Sequence, residues 1–144
     1  MNRVETIMAA VATALTGLAT TGARVQRLKV WPLDTLPALS IYQGASVVLE
    51  DDEEVLDSIM RRLEFRVVAT VRGTGVLETT LNQIAAEVYA ALTADRTLGL
   101  AYVFDQRLVG DDVPEVEAEQ DQPVARQSMN YSLLYEHSGT STEA

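Results

Sequence analysis

Leu63-Glu64-Phe65-Arg66-Val67-Val68-Ala69-Thr70-Val71-Arg72, followed by Gly73-Thr74-Gly75 and then Val76 to Leu98, decides how this chain folds. In the first ten residues the odd positions are apolar and most even ones polar, the period of a strand with one buried face. The glycines break the run, because glycine reaches backbone angles that other residues avoid. Beyond them Leu77, Leu81, Ile84, Ala85, Val88 and Leu92 recur at three- and four-residue spacing, with Glu78, Asn82, Gln83 and Glu87 on the other side. That pattern predicts a helix with one apolar stripe. From Val76 to Asp95 it spans about 30 Å, enough to cover much of one sheet.

Toward the N-terminus, Val4, Ile7, Met8, Val11, Leu15 and Leu18 predict a first helix from about Arg3 to Leu18, ended by Gly17 and Gly22. In Arg24-Val25-Gln26-Arg27-Leu28-Lys29-Val30 the apolar positions do not keep one parity, as expected of a bulged or edge strand whose basic residues deter stray pairing. Trp31-Pro32 and Leu36-Pro37 bracket a connection. Ala38 to Gln43 reads as a strand with Leu39 and Ile41 on one face and Ser40 and Tyr42 on the other, closed by Gly44. Glu50-Asp51-Asp52-Glu53-Glu54 is the most acidic run and reads as a loop tip.

Toward the C-terminus, Ala94 to Gly99 is a helix exit. Leu100 to Asp105 is apolar on both faces for its first half and is expected at the centre of the sheet. Gly110-Asp111-Asp112 and Asp121-Gln122-Pro123 read as turns on either side of a short strand over Val116 to Gln120. In the last strand Ala125, Gln127, Met129, Tyr131, Leu133 and Tyr135 alternate with a polar set that has one apolar exception, Leu134. The small polar residues 138–144 are expected to be a disordered tail, leaving residues 1–137 as a single domain. No fixed-period repeat occurs. The element order predicts an α+β fold, a mixed, largely antiparallel sheet with two helices packed on one face.

The bulk numbers exclude several chemistries. A chain of 144 residues that is 47% hydrophobic builds one core without staples. It has no cysteine, so disulfides, thiolate metal sites and cysteine nucleophiles are excluded. The lone His137 near the polar tail reads as a solvated side chain, since metal and nucleophile sites need converging partners. Twenty-one acidic against eleven basic residues give a net charge of −10, which argues against a primary nucleic-acid binder but not against a ring that DNA merely threads. The alanine-rich start imitates a signal peptide weakly, with Glu5, Thr6, Thr13 and Thr16 interrupting it, and no run approaches the ~20 apolar residues of a membrane span. The chain is expected to be intracellular and to bind no membrane.

Searches for a reactive site come out negative. A strand, Gly73-Thr74-Gly75 and a helix invite a dinucleotide reading, but Glu78 stands where the third glycine is required and would set a carboxylate against the pyrophosphate. The acidic run lacks the alternating ligands of a calcium loop. Hydrolase chemistry needs a histidine partnered with an acid, and Asn130-Tyr131-Ser132 has no meaning as a glycosylation acceptor without a secretory signal. No catalytic, cofactor or metal residue is assigned. Trp31, Tyr42 and Tyr135 near strand ends read as packing groups first and as interface anchors second.

Several stretches together resemble the tail terminator proteins of long-tailed phages, also called minor tail protein U or tail-completion proteins. They are the N-terminal helix ending in Thr20-Thr21-Gly22-Ala23, Arg24-Val25, Trp31-Pro32-Leu33 through Leu36-Pro37-Ala38-Leu39-Ser40-Ile41-Tyr42, the strand from Leu63 to Val71, Leu92 to Leu100, and Met129 to Glu136. Each is unspecific alone; their order and spacing carry the resemblance, which spans most of the chain. It implies an α+β fold, a homo-hexameric ring, no catalysis and no cofactor. The ring would cap the tail tube at its head-proximal end, stop polymerisation of the major tail tube protein, and meet the head-completion or stopper protein, after assembly in the host cytoplasm. DNA would pass through it without sequence-specific binding. Glu50, Asp51, Asp52, Glu53 and Glu54 form a longer acidic run than the family implies, and are the candidate interface or lumen loop. The competing readings are another head-tail connector, stopper or tail-chaperone module, and a small-molecule-binding or enzymatic α+β domain.

Overall fold

A computed structural model describes residues 3–27, 36–49, 58–73, 75–117 and 123–138. Two helices, α1 (Arg3–Leu15) and α2 (Leu77–Ala94), pack with six strands: β1 (Val25–Arg27), β2 (Ala38–Val48), β3 (Ser58–Arg72), β4 (Val103–Asp111), β5 (Glu115–Glu117) and β6 (Val124–Ser138). The strand order is β1-β2-β3-β6-β4, with β5 also paired to β6. Among the described residues only β1 and β2 run parallel; the other pairs are antiparallel. The expected α+β architecture is therefore what the chain adopts. No helix among the described residues is long and apolar enough to cross a membrane.

The sheet's axis is the β3–β6 pair, in register along all fifteen residues of each strand. Alternation sends Leu63, Phe65, Val67, Ala69 and Val71 of β3, with Ala125, Met129, Tyr131, Leu133 and Tyr135 of β6, into one buried face. Onto it the helices lay Ile7, Met8, Val11 and Leu15, and Leu81, Ile84, Val88 and Leu92, all fully buried. Each such side chain contributes about 1.5–3 kcal/mol by leaving water. The rings of Phe65 and Tyr131 stack at 5.4 Å across the strand pair.

Four expected boundaries move. The first helix ends at Leu15, not Leu18, because Thr16 to Ala23 form their own knot: Gly17 N donates to Gly22 O at 2.8 Å and Gly22 N to Leu18 O at 2.7 Å, with Gly17 at φ +98°. Gly44 does not close β2, which runs on to Val48. It sits where the register slips between Gln43 and Ser46, and a Cβ there would lie 2.8 Å from the Glu64 carbonyl oxygen, so the residue is there for close approach of two backbones. Gly110 and Asp111 still belong to β4, and the chain leaves the strand at Asp112, whose amide donates to Ser128 O.

The fourth correction concerns Leu100 to Asp105, expected at the centre and found at an edge. Its two-faced apolar character has another cause. Leu100 and Tyr102 precede β4 and pack against the core from a turn, Tyr102 lies under the Arg3 guanidinium at 4.5 Å, and Phe104 occupies a bulge where it stays 49% exposed. The central place goes to β6. The short strand expected from Val116 to Gln120 is β5, one residue earlier, with 118–120 outside the described residues.

β1 does lie at an edge, as expected. The basic residues in and before it do more than deter pairing: Arg27 meets Glu5 of α1 at 2.6 Å, and Arg24 donates to Pro37 O at 2.6 Å and Thr20 O at 3.0 Å. Glu87, on the polar side of α2, accepts from Thr20 N at 2.9 Å, Thr20 Oγ1 at 2.7 Å and Gln83 Nε2 at 3.0 Å, tying α2 to the knot after α1. Burial raises this carboxyl, but the three hydrogen bonds outweigh that effect and hold it below its ordinary value. Leu28-Lys29-Val30, Trp31-Pro32, the Glu50 to Glu54 run and residues 139–144 lie outside the described residues; Ser138 is the last residue of β6 and pairs with Ser58.

Two outcomes follow from this packing. Ile84→Asp places an unpaired charge on the buried stripe, and urea unfolding should show a loss of more than about 3 kcal/mol; an unchanged transition would mean the stripe faces a partner instead of the sheet. Glu87 has a lowered folded-state value, so its stabilisation is present above the ordinary carboxylate range and is lost as pH falls through that lowered value. Glu87→Gln should therefore melt below the wild type at neutral pH, and the gap should shrink as pH falls below the ordinary carboxylate range. A gap that ignores pH would remove the charge from the account.

Candidate interaction surface

The same alternation that buries one face of the sheet leaves the other without a helix. On β3 it carries Arg62, Glu64, Arg66, Val68, Thr70 and Arg72, and on β6 Arg126, Ser128, Asn130, Ser132, Leu134 and Glu136, of which Thr70 and Ser132 are buried between their neighbours. Register aligns these into rows. Tyr42 of β2, Arg66 and Asn130 form one; Glu64, Ser132 and Arg107 of β4 form the next; Val47, Arg62, Leu134 and Asp105 form a third.

The first row borders a groove of about 390 Å³ lined by Tyr42, Gly44, Glu64, Arg66, Val109 and Asn130. The bare Gly44 backbone floors one side, and the Val109 bulge of β4 walls the other. Arg66 lies over the Tyr42 ring at 5.0 Å, which steadies its guanidinium while leaving the charge accessible. A smaller depression of about 120 Å³ adjoins Arg62, Asp105, Arg107, Ser132 and Leu134. Asp105 is engaged by Arg96 at 3.7 Å, and Arg126 by Glu117 at 2.7 Å. Among the described residues no carboxylate stands within ion-pair distance of Arg62, Arg66 or Arg107.

Charge is partitioned unevenly along the chain. Ten of the twenty-one carboxylates, but only one of the eleven basic residues, Lys29, lie in residues 28–35, 50–57, 118–122 and 139–144. The described body is thus close to neutral, and its helix-free face carries five arginines.

The second exposed feature is the β4 edge, which has no strand partner on its outer side among the described residues. Phe104, Val109, Val113 and Val116 are exposed along β4 and β5, and Tyr89 of α2 stands 44% exposed above them. Between α2 and β4 runs a groove of about 410 Å³ lined by Tyr89, Thr93, Arg96, Gln106, Arg107 and Leu108. Gln106 anchors its floor by donating to Leu92 O at 2.6 Å.

No group of three or more His, Asp or Glu side chains converges among the described residues. Burial pushes the Tyr131 phenol well above its ordinary value, and the nearby Asp111 and Tyr89 add to this, so it stays protonated in its stack. The Gly73 amide donates to Pro123 O, tying the turn before α2 to the start of β6, and Glu78 occupies the helix's first turn. Glu50 to Glu54, the candidate residues from sequence, lie between β2 and β3 outside the described residues. The arginine rows were missed in sequence because Arg107 joins Arg62 and Arg66 only through a register set by β6; the even-position spacing of Arg62 and Arg66 was the available signal.

No protein-family model matches the chain, and no curated protein matches it in sequence. Among solved structures, a chain of the "Virion of native gene transfer agent (GTA) particle" is similar, with a TM-score of 0.56 and 14% identity, over 88% of this chain and 84% of that one. The likeness is one of fold.

The two faces predict opposite responses to substitution. Val109→Ser, at 63% exposure, should leave the unfolding free energy measured in urea within about 0.5 kcal/mol of wild type, whereas Tyr131→Ala should lose about 3 kcal/mol or more. Equal losses would mean that the bulge is part of the core.

Proposed function

We propose that this chain is a virion structural protein, and specifically a tail terminator. Copies form a ring, six by the family resemblance, which caps the finished tail tube at its head-proximal end and ends growth of the major tail tube protein. The opposite side of the ring meets the head-completion or stopper protein. DNA passes through without sequence-specific binding, and no catalysis or cofactor is called for. Assembly takes place in the host cytoplasm.

The observation that carries this reading is the fold likeness to a virion particle chain over nearly the whole length of both chains. The spacing of the resembling motifs supports the finer assignment. Physical features agree with it. A ring needs two unlike, complementary surfaces on each copy, because a head-to-tail contact repeated by rotation closes only when one patch meets a different one. The sheet has two unlike ends: a three-residue β1 edge braced by arginines, and a nine-residue bulged β4 edge with exposed Phe104 and Val109. Exposed apolar residues clustered at one edge are the expected mark of a protein contact. A net charge of −10 suits a channel that a polyanion must traverse without sticking.

Sedimentation and negative-stain microscopy, joined to a tube-capping assay, test the proposal. The expected result is a ring with a pore wide enough for a duplex, and tail tubes whose length stops changing once the protein is added. A protein that stays monomeric at every concentration and salt, and leaves tube growth unaffected, would overturn it.

A further inference from the structure

We propose that the depression bounded by Arg62, Arg107, Ser132 and Leu134 is a docking point for a protein partner, and takes one carboxylate side chain that the partner presents beside an apolar residue. It stands whether or not copies close into a ring. Register builds the site. Ser132 and Leu134 follow each other on the helix-free face of β6; Glu64 of β3 and Arg107 of β4 flank Ser132, while Arg62 of β3 and Asp105 of β4 flank Leu134. The two arginines thus stand on one diagonal and the two acids on the other. With strands about 4.8 Å apart and two residues rising about 7 Å, the Arg62 and Arg107 Cα atoms are about 12 Å apart. Both side chains line the same depression of about 120 Å³.

Charge names the occupant. Asp105 is engaged by Arg96 at 3.7 Å, and among the described residues neither Arg62 nor Arg107 has a carboxylate within ion-pair distance. Glu64 is held from Arg107 by the width of β6 and lines the neighbouring groove instead. Two guanidiniums approach from opposite sides over Ser132, which is 6% exposed and has a hydroxyl to donate, a set that matches the two oxygens of one carboxylate. The volume is that of about four waters, enough for a carboxylate and the methylenes that carry it. Apolar surface adjoins it: Leu134 lines the depression, and Val47 of β2, 51% exposed, shares the row of Arg62. An aliphatic neighbour of the incoming acid finds its seat there. A polyanion fits poorly, because Glu64 and Asp105 flank the arginine diagonal, so each negative group beyond the first adds repulsion. The net charge of −10 also opposes its approach.

The test titrates the isotope-labelled full chain, at about 50 mM salt, with a capped pentapeptide of sequence Gly-Leu-Asp-Leu-Gly, whose one charge is its carboxylate. Amide shifts should centre on Arg62, Arg107, Ser132 and Leu134. Arg62→Gln and Arg107→Gln should each weaken binding about threefold, the scale of an exposed ion pair, and asparagine in place of the peptide's aspartate about tenfold, since both pairs are lost. Arg72→Gln, on the same face but outside the depression, should bind as wild type does. Thermal melts verify folding; Arg62→Lys and Arg107→Lys, which keep the charge and lose the fork, serve where a glutamine variant fails to fold, with losses of about twofold.

Absence of binding overturns the proposal, as does binding indifferent to the asparagine peptide or to both arginine variants. A short DNA duplex that displaces the peptide, and itself binds more weakly to Arg62→Gln, would make the ligand a nucleic acid and also overturns it. Tighter peptide binding once Asp51→Asn, Asp52→Asn, Glu53→Gln and Glu54→Gln are combined would mean that the chain's own acids fill the depression. Self-association in sedimentation that weakens with Arg62→Gln would make the occupant a second copy. Either result overturns the assignment to a different protein.

Discussion

The structure depends on one pairing, β3 against β6, maintained over fifteen residues without a slip. Because side chains alternate strictly along both strands, a shift of one residue would turn every core side chain of one strand toward water. The register is held from the buried side, where the Phe65–Tyr131 stack and the aliphatic residues around it meet the stripes of α1 and α2. The irregularities lie on the flanks: β2 slips at Gly44, and β4 at Phe104 and Val109. A regular centre with bulged margins lets the molecule keep one rigid layer while its edges turn to meet other surfaces.

Much of this was legible in the chain. Period two in β3 and β6 and period 3.6 in α1 and α2 are local properties, and they identified the core-facing residues of all four elements, though not the burial of Thr70, Val124 and Ser132. What could not be read was where the strands sit. Leu100 to Phe104 looks central because it is apolar on both faces, yet that apolarity belongs to a turn packed on the core and to a bulge. Gly44 looks like a terminator, and its actual role is set by Glu64, twenty residues away. The same limit governed the candidate site. The acidic run was visible as a charge pattern, and Arg62 and Arg66 were visible as polar positions of a strand. Their convergence with Arg107 needs two strand pairings that no local pattern encodes.

The uneven charge partition changes what a net charge of −10 means here. A net figure describes long-range repulsion and solubility, and says little about a particular face. The folded layer is almost neutral, with arginines left over on its helix-free side, while the carboxylate excess sits in the chain between strands. An acidic protein of this kind repels a polyanion at a distance and still offers guanidinium groups at close range.

That separation bears on how copies could associate in one direction only. If the two charges were mixed on one patch, a copy could satisfy itself or pair symmetrically, and a closed dimer would compete with a ring. In the described layer the two sheet edges are unlike, a short β1 beside Arg24 and Arg27 and a bulged β4 with exposed Phe104 and Val109, so the surface has no self-complementary patch of that kind. The exposed apolar residues at the β4 edge then add contact area that carries no sign and so gives no direction. An unlike pair of edges would supply the direction and the apolar residues the area that the head-to-tail closure proposed above requires.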